Sequence, residues 1–283
     1  MSRSNQARLW PFWAIALAWR MFVLLGVASV VSGQSAELGE EPSPPKKALP
    51  LEGEVFRVAG QTAFLIEPPE TTKRTPTPWV WYAPTLPRLP GPEEVWMLER
   101  FLQAGIAVAG IDVGESFGSP AGRRLYSLFY ETLTEERNLS RYPCLLARSR
   151  GGLMHYNWAV EHASTVACVV GIYPVCNLLS YPGLAKACGA YGMSAEQLER
   201  NLTEHNPIDR LKPLAEARVP LYHLHGDSDT LVPLAANSGL LASRYRALGG
   251  EIILNVVPGQ GHNMWSGWFE CEPLVDFIIR HAR

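Results

Sequence analysis

Apolar residues between positions 51 and 283 recur with two periods, and the two periods alternate along the chain. Short runs at 54–58, 62–66, 79–83, 106–111, 144–147, 166–173, 219–222 and 252–257 have the length of strands, and all but the apolar 144–147 carry β-branched or aromatic residues. Ala59-Gly60-Gln61 between the first two is a hairpin signal. The run at 106–111 holds no polar residue, which suits a strand buried on both faces. Helical spacing separates the runs. Val95, Trp96, Leu98, Phe101 and Leu102 mark a helix over 93–104 closed by Gly105. Residues 125–137, 153–160, 194–202, 235–248 and 268–281 also read as helices. No internal repeat is visible. Strands alternating with helices predict an α/β fold, a mainly parallel central sheet with helices on both faces.

One junction carries candidate chemistry. The run Cys144-Leu145-Leu146-Ala147 leads through Arg148-Ser149-Arg150 into Gly151-Gly152 and the next helix. Strand, tight turn and helix would set Ser149 at the tip of the turn, the context of a G-x-S-x-G nucleophile elbow. Small residues are needed two positions either side of the serine. Gly151 meets that requirement, and Ala147 stands where the motif has its first glycine.

Two later loops supply the partners such a serine needs. His225-Gly226-Asp227-Ser228-Asp229 with Val232-Pro233 follows one predicted strand, and Gly261-His262 follows another. Nucleophile, acid and histidine thus occur in the order Ser149, Asp229, His262. With the pattern H-G-x-x-D-x-x-V-P and the elbow, residues 51–283 resemble the α/β-hydrolase superfamily, its serine esterases and prolyl-oligopeptidase-like members included. The resemblance implies the α/β-hydrolase fold, with a short lid-like insertion at about 176–217. It implies that the Gly/Ser stretch at 112–120 is the loop after an early parallel strand. It also selects Asp229 over Asp227 as the acid, leaving Asp227 to bond its own turn.

In that arrangement Ser149 attacks an acyl carbon, His262 takes and returns the proton, and Asp229 holds the imidazole tautomer. The oxyanion hole needs two backbone donors. The Arg150 N–H is the first. The family's second donor comes from the loop after the strand at 79–83, where Pro84 cannot donate, so Thr85 or Leu86 is the candidate and Thr85 is preferred. Arg148, Glu115 and Trp265 are candidate substrate contacts. Alternatively, the arginines at 148 and 150 bond loop carbonyls or Glu115, and Trp265 packs under the histidine loop. His225 is expected to brace the acid loop, and His155, His162, His205 and His223 are read as structural. No metal, nucleotide or flavin signature appears, so no cofactor is expected.

Composition limits the alternatives. With 47% hydrophobic and 18% charged residues among 283, the chain is long and apolar enough for one large domain. A net charge of −2 implies no nucleic-acid affinity. The amino terminus differs from the rest. Arg3 and Arg8 precede an apolar stretch of about eleven residues, and Ser32-Gly33-Gln34-Ser35-Ala36 follows. Residues 1–36 read as a signal peptide for export, with no stable membrane association once it is cleaved. The alternative is a membrane anchor over 9–31 with Arg20 near the bilayer centre. Residues 37–50 read as a Pro-rich charged linker of little order. Of five cysteines, Cys144 and Cys168 fall on buried strands, and Cys176 with Cys188 is the pair that oxidation would join. These readings converge on an exported serine hydrolase cleaving a carboxylic ester. The competing classes are a prolyl-oligopeptidase-like peptidase acting on short peptides and a binding protein on a hydrolase scaffold.

Overall fold

The computed structural model describes residues 45–283. The leader read at 1–36, its anchor alternative and the start of the Pro-rich stretch lie outside the described residues. Eight strands form one sheet: β1 Glu54–Val58, β2 Gln61–Ile66, β3 Trp79–Ala83, β4 Ala107–Ile111, β5 Cys144–Arg148, β6 Cys168–Ile172, β7 Leu221–Gly226 and β8 Ile252–Val257. Their spatial order is β1-β2-β4-β3-β5-β6-β7-β8, with β2 antiparallel to both its neighbours and the rest parallel. Val58 pairs with Gln61, so the hairpin turn is the two residues Ala59 and Gly60, both at positive φ.

Side chains along each strand alternate between two apolar layers. Trp79, Trp81 and Ala83 of β3 enter one, and Val80 and Tyr82 enter the other. The first layer is covered by α2 Pro120–Glu131, α3 Gly151–Ala159 and α8 Ser238–Ala247 through Tyr126, Phe129, Tyr156, Trp158 and Tyr245. The second is covered by α1 Val95–Gln103 and α9 Glu272–His281 through Met97, Leu98, Phe101, Leu274 and Ile278. Burial on both faces is why the central runs carry no polar alternation. A third apolar cluster joins the insertion between β6 and β7 to the main domain. The insertion contains α4 Leu184–Tyr191, α5 Ala195–Arg200, α6 Leu202–His205 and α7 Lys212–Glu216. Leu178, Ala187, Tyr191 and Leu198 pack there with Leu153 of α3 and with Val232, and the Tyr191 hydroxyl donates to Phe117 O at 2.7 Å.

Four local readings differ from the structure. The helix expected over 125–137 is α-helical from Pro120, capped by Ser119, and widens into a π-helical turn over Thr132–Glu136. Thr132 and Thr134 donate to Leu128 O and Tyr130 O, each at 2.9 Å, and such back-bonding competes with regular helix. The last helix begins at Glu272, because Trp268 sits in a separate turn with its side chain fully buried. All five cysteines are free, with Cys176 Sγ directed at Pro174 O and Cys188 Sγ at Ala185 O. The end of the expected linker is held, with Leu49 packed on the second layer and Lys47 bonded to backbone carbonyls. Among the described residues no helix is long and apolar enough to cross a membrane.

Candidate active site

Parallel strands bring the loops at their carboxyl ends together, and the site is built there. Ser149 follows β5 at φ +51, a left-handed conformation that costs energy for a residue with a side chain. Its neighbours fix that turn. A Cβ on Gly151 would lie 2.1 Å from Ala83 O, and one on Gly152 would lie 2.3 Å from Val175 O. The Ser149 N–H donates to Ile172 O at 3.0 Å, and its carbonyl accepts from Val175 N at 2.8 Å. The elbow is therefore wedged between β3, β6 and the start of the insertion, with no room for a side chain at 151 or 152.

His262, on the loop after β8, meets this serine. Ser149 Oγ and His262 Nε2 are 2.9 Å apart, and His262 Nδ1 and Asp229 Oδ2 are 2.8 Å apart. The imidazole lies against the ring of Tyr173, centroids 4.3 Å apart, and Trp268 abuts Tyr173 edge-on. Asp229 is buried, and its Oδ1 accepts from Leu231 N at 3.0 Å and Val232 N at 2.8 Å. Burial works to raise its pKa. Hydrogen bonds from His225, His262 and the Val232 N–H outweigh burial and hold the carboxyl below the usual range. Asp227 is exposed; its Oδ1 accepts from Ser228 Oγ at 2.9 Å and from Gly259 N at 2.7 Å. It ties the acid loop to the histidine loop instead of bonding only within its own turn.

Behind Asp229 runs a buried polar chain that begins at His225, the histidine expected to brace the acid loop. β7 extends through His223 and His225, both fully buried. His225 Nε2 lies 2.8 Å from Val232 O and 3.5 Å from Asp229 Oδ2. Facing two acceptors, that nitrogen must carry the proton. With Nε2 as the donor, Nδ1 can accept from Ser238 Oγ, 2.8 Å away. Ser238 accepts from His223 Nδ1 at 2.9 Å, and His223 Nε2 accepts from the Tyr156 hydroxyl at 2.6 Å. Burial, with His225 beside it, lowers the His223 pKa to about 3, so it is neutral near pH 7. The donors run from Tyr156 to His225, whose Nε2 bonds Val232 O on the acid loop, with Asp229 Oδ2 3.5 Å away. The available signal was the pair of histidines two apart, which period-2 geometry sends to one face of a strand.

The expected substrate contacts divide. Arg148 is committed elsewhere: it is 12% exposed, its Nη1 donates to Glu94 Oε1 at 2.6 Å, and its guanidinium lies over Phe269. Glu94 is fully buried and also accepts from the Tyr82 hydroxyl at 2.7 Å and Gly91 N at 2.8 Å. Burial would lower the Arg148 pKa, but Tyr82, Tyr173 and Glu94 raise it. A buried carboxylate needs a cation, and Arg148 is within reach. Glu115 pairs with Arg150 at the surface, so the arginine there takes the ion-pair alternative. Trp265 is 41% exposed and packs edge-on against Trp268. The Arg150 N–H stands at the head of α3, and Thr85 lies buried in the loop after β3, which passes beside Gly151.

A hydroxyl bonded to an imidazole that is bonded to a buried carboxylate can supply a nucleophile and shuttle its proton. This geometry and the sheet order define the α/β-hydrolase fold. Residues 144–279 match the sequence profile of the prolyl oligopeptidase family. No curated protein matches the chain. Among solved structures, the chain is similar to a puromycin-hydrolyzing peptidase of Mycobacterium tuberculosis. That match has a TM-score of 0.61 and 16% identity, and covers 81% of this chain and 40% of the other. Dipeptidyl peptidase 4 of Porphyromonas gingivalis matches with a TM-score of 0.64 and 12% identity, over 81% of this chain and 35% of the other. MPT51 of Mycobacterium tuberculosis matches with a TM-score of 0.63 and 15% identity, over 82% of this chain and 100% of the other. The chain thus spans about two fifths of the length of the first of these.

Proposed function

We propose that the protein is a serine hydrolase that cleaves a carboxylic ester through an acyl-enzyme on Ser149. The observation that carries this reading is the unbroken contact from Ser149 Oγ to His262 at 2.9 Å and on to Asp229 at 2.8 Å, with the serine on a strained turn. His262 takes the hydroxyl proton as Ser149 Oγ bonds to the acyl carbon, then gives it to the departing alcohol. Water repeats the sequence and frees the acid. In this reading the oxyanion donors are the backbone N–H groups of Arg150, at the head of α3, and of Thr85, in the buried loop after β3. Leu231, Met264 and Trp265, exposed on the acid and histidine loops, offer apolar surface to the substrate's acyl or alcohol group.

A second reading, hydrolysis of short peptide amides, is favoured by the family profile over residues 144–279. Soluble acyl esters, acyl amides and X-Pro amides compared on wild type and Ser149→Ala separate the two. Turnover of esters, at least a hundredfold above that of amides and abolished in Ser149→Ala, is expected. Preferential turnover of amides would replace the first reading with the second, and no turnover of any class would point to a binding protein on this scaffold.

A further inference from the structure

Lys47 belongs to the stretch that composition marks as a linker, yet its ammonium lies at the loop after β3. Nζ donates to Leu86 O at 3.0 Å and to Thr85 O at 3.3 Å. Nζ also lies over the Phe64 ring, 5.9 Å from its centroid. The group is half-buried, and among the described residues no carboxylate forms an ion pair with it. Burial lowers its pKa, and the field of Asp112 opposes that shift. An ammonium taken partly out of water without a carboxylate in contact is costly unless its hydrogen bonds are made, so the two carbonyls are what hold it there.

The loop has reason to need an outside donor. Pro84, Pro87 and Pro90 lack N–H groups, and among the described residues only the Leu89 N–H turns back to bond Leu86 O, at 2.8 Å. Packing fixes its other sides. The Thr85 methyl lies over Gly110 of β4, where a Cβ would come within 2.3 Å of it, and Gly151 abuts the Ala83 carbonyl. Ala83 pairs with Ala147 in the sheet, so Thr85 and Ser149 each stand two residues past a paired alanine on adjacent strands. The loop that Lys47 grips is therefore the one that runs beside the nucleophile.

We propose that Lys47 is a positioning residue for hydrolysis. By clamping the Thr85 and Leu86 carbonyls, it orients the loop so that a backbone N–H faces the charge developing on the substrate oxygen at Ser149. This rests on the reading of Ser149 as nucleophile. It makes the arm before β1 part of the working site. Removing an oxyanion donor outright costs roughly 10²–10³ in kcat. Loosening its loop costs less, about tenfold.

The test uses the full chain as wild type, Lys47→Met, Lys47→Arg and, as a control, Lys46→Met at the exposed neighbour. In Lys47→Met, kcat for an ester should fall about tenfold while KM changes less than about twofold. Affinity for a trifluoromethyl ketone, which mimics the tetrahedral intermediate, should fall by the same factor as kcat. Lys47→Arg should restore most of both, and Lys46→Met should match wild type. Hydrogen exchange of the peptide spanning 84–90 should speed up in Lys47→Met alone. Wild-type kcat and unchanged exchange in Lys47→Met would overturn the proposal. So would equal losses in the Met and Arg variants accompanied by a lowered melting temperature. If wild type neither turns over ester nor reacts with a fluorophosphonate, the hydrolase reading fails, and the exchange comparison still decides whether Lys47 clamps the loop.

Discussion

Asp229→Asn replaces one carboxylate oxygen with an NH₂ group, and the structure specifies which. Oδ1 accepts two backbone N–H bonds, from Leu231 and Val232. The asparagine must keep its oxygen there, because an NH₂ group facing two donors would leave all of them unpaired. Its nitrogen then occupies the Oδ2 position, 2.8 Å from His262 Nδ1. A donor facing Nδ1 forces the imidazole proton onto Nε2, where it faces Ser149 Oγ and removes the general base. Stabilisation of the imidazolium is lost with the charge. On a Ser-His-Asp template this substitution lowers kcat by roughly 10⁴, and at about 1.4 kcal/mol per tenfold that is about 5 kcal/mol of transition-state stabilisation. Asp227→Asn removes charge from an exposed group and weakens its bond to Gly259, so kcat should change by less than about fivefold. The assay is kcat and KM on a soluble ester, after circular dichroism has shown that both variants fold. An active Asp229→Asn beside a crippled Asp227→Asn would refute the assignment. Full activity in both would refute the mechanism.

Other consequences follow from the buried groups. Burial lowers the pKa of both His155 and His223 to about 3, below an unfolded value near 6.5. Between those values the unfolded chain binds the extra protons, so stability declines as pH falls below about 6.5. At roughly 1.4 kcal/mol per pH unit per group, about 4 kcal/mol is lost by pH 5. Urea midpoints that stay level from pH 7 to pH 5 would contradict this. Glu94→Ala should destabilise by about 3–5 kcal/mol, since it strands Arg148 and the Tyr82 hydroxyl. Thermal or urea unfolding that shows a loss below about 1 kcal/mol would count against the role given to this cluster.

Local pattern was enough for the strands and for singling out Ser149, Asp229 and His262, which the structure brings within hydrogen-bonding distance. Each of Ser149, Asp229 and His262 sits in a short motif at the end of an apolar run. The parallel sheet gathers strand ends, so motifs far apart in sequence meet within hydrogen-bonding distance. What could not be read depends on partners distant in sequence that no motif announces. Arg148 looked available for substrate because its partner, Glu94, is 54 residues earlier and reads as an ordinary surface acid at the start of a helix. His223 was read only as structural and Ser238 was not singled out, because histidines two apart share a strand face but do not announce partners as distant as Ser238 and Tyr156. Lys47 was lost to composition: three prolines and two lysines in 42–47 resemble a solvated linker, and nothing local shows the proline-poor-in-donors loop at 84–90 that its ammonium bonds.

The central claim is that Ser149 is an activated nucleophile, and covalent labelling tests it most directly. Wild type, Ser149→Ala and His262→Ala would each be treated with a fluorophosphonate, then examined by intact mass and peptide mapping. One adduct is expected on wild type, mapped to Ser149, absent from Ser149→Ala and strongly slowed in His262→Ala. A folded wild type that takes up no label, or takes it up at another residue, would contradict it.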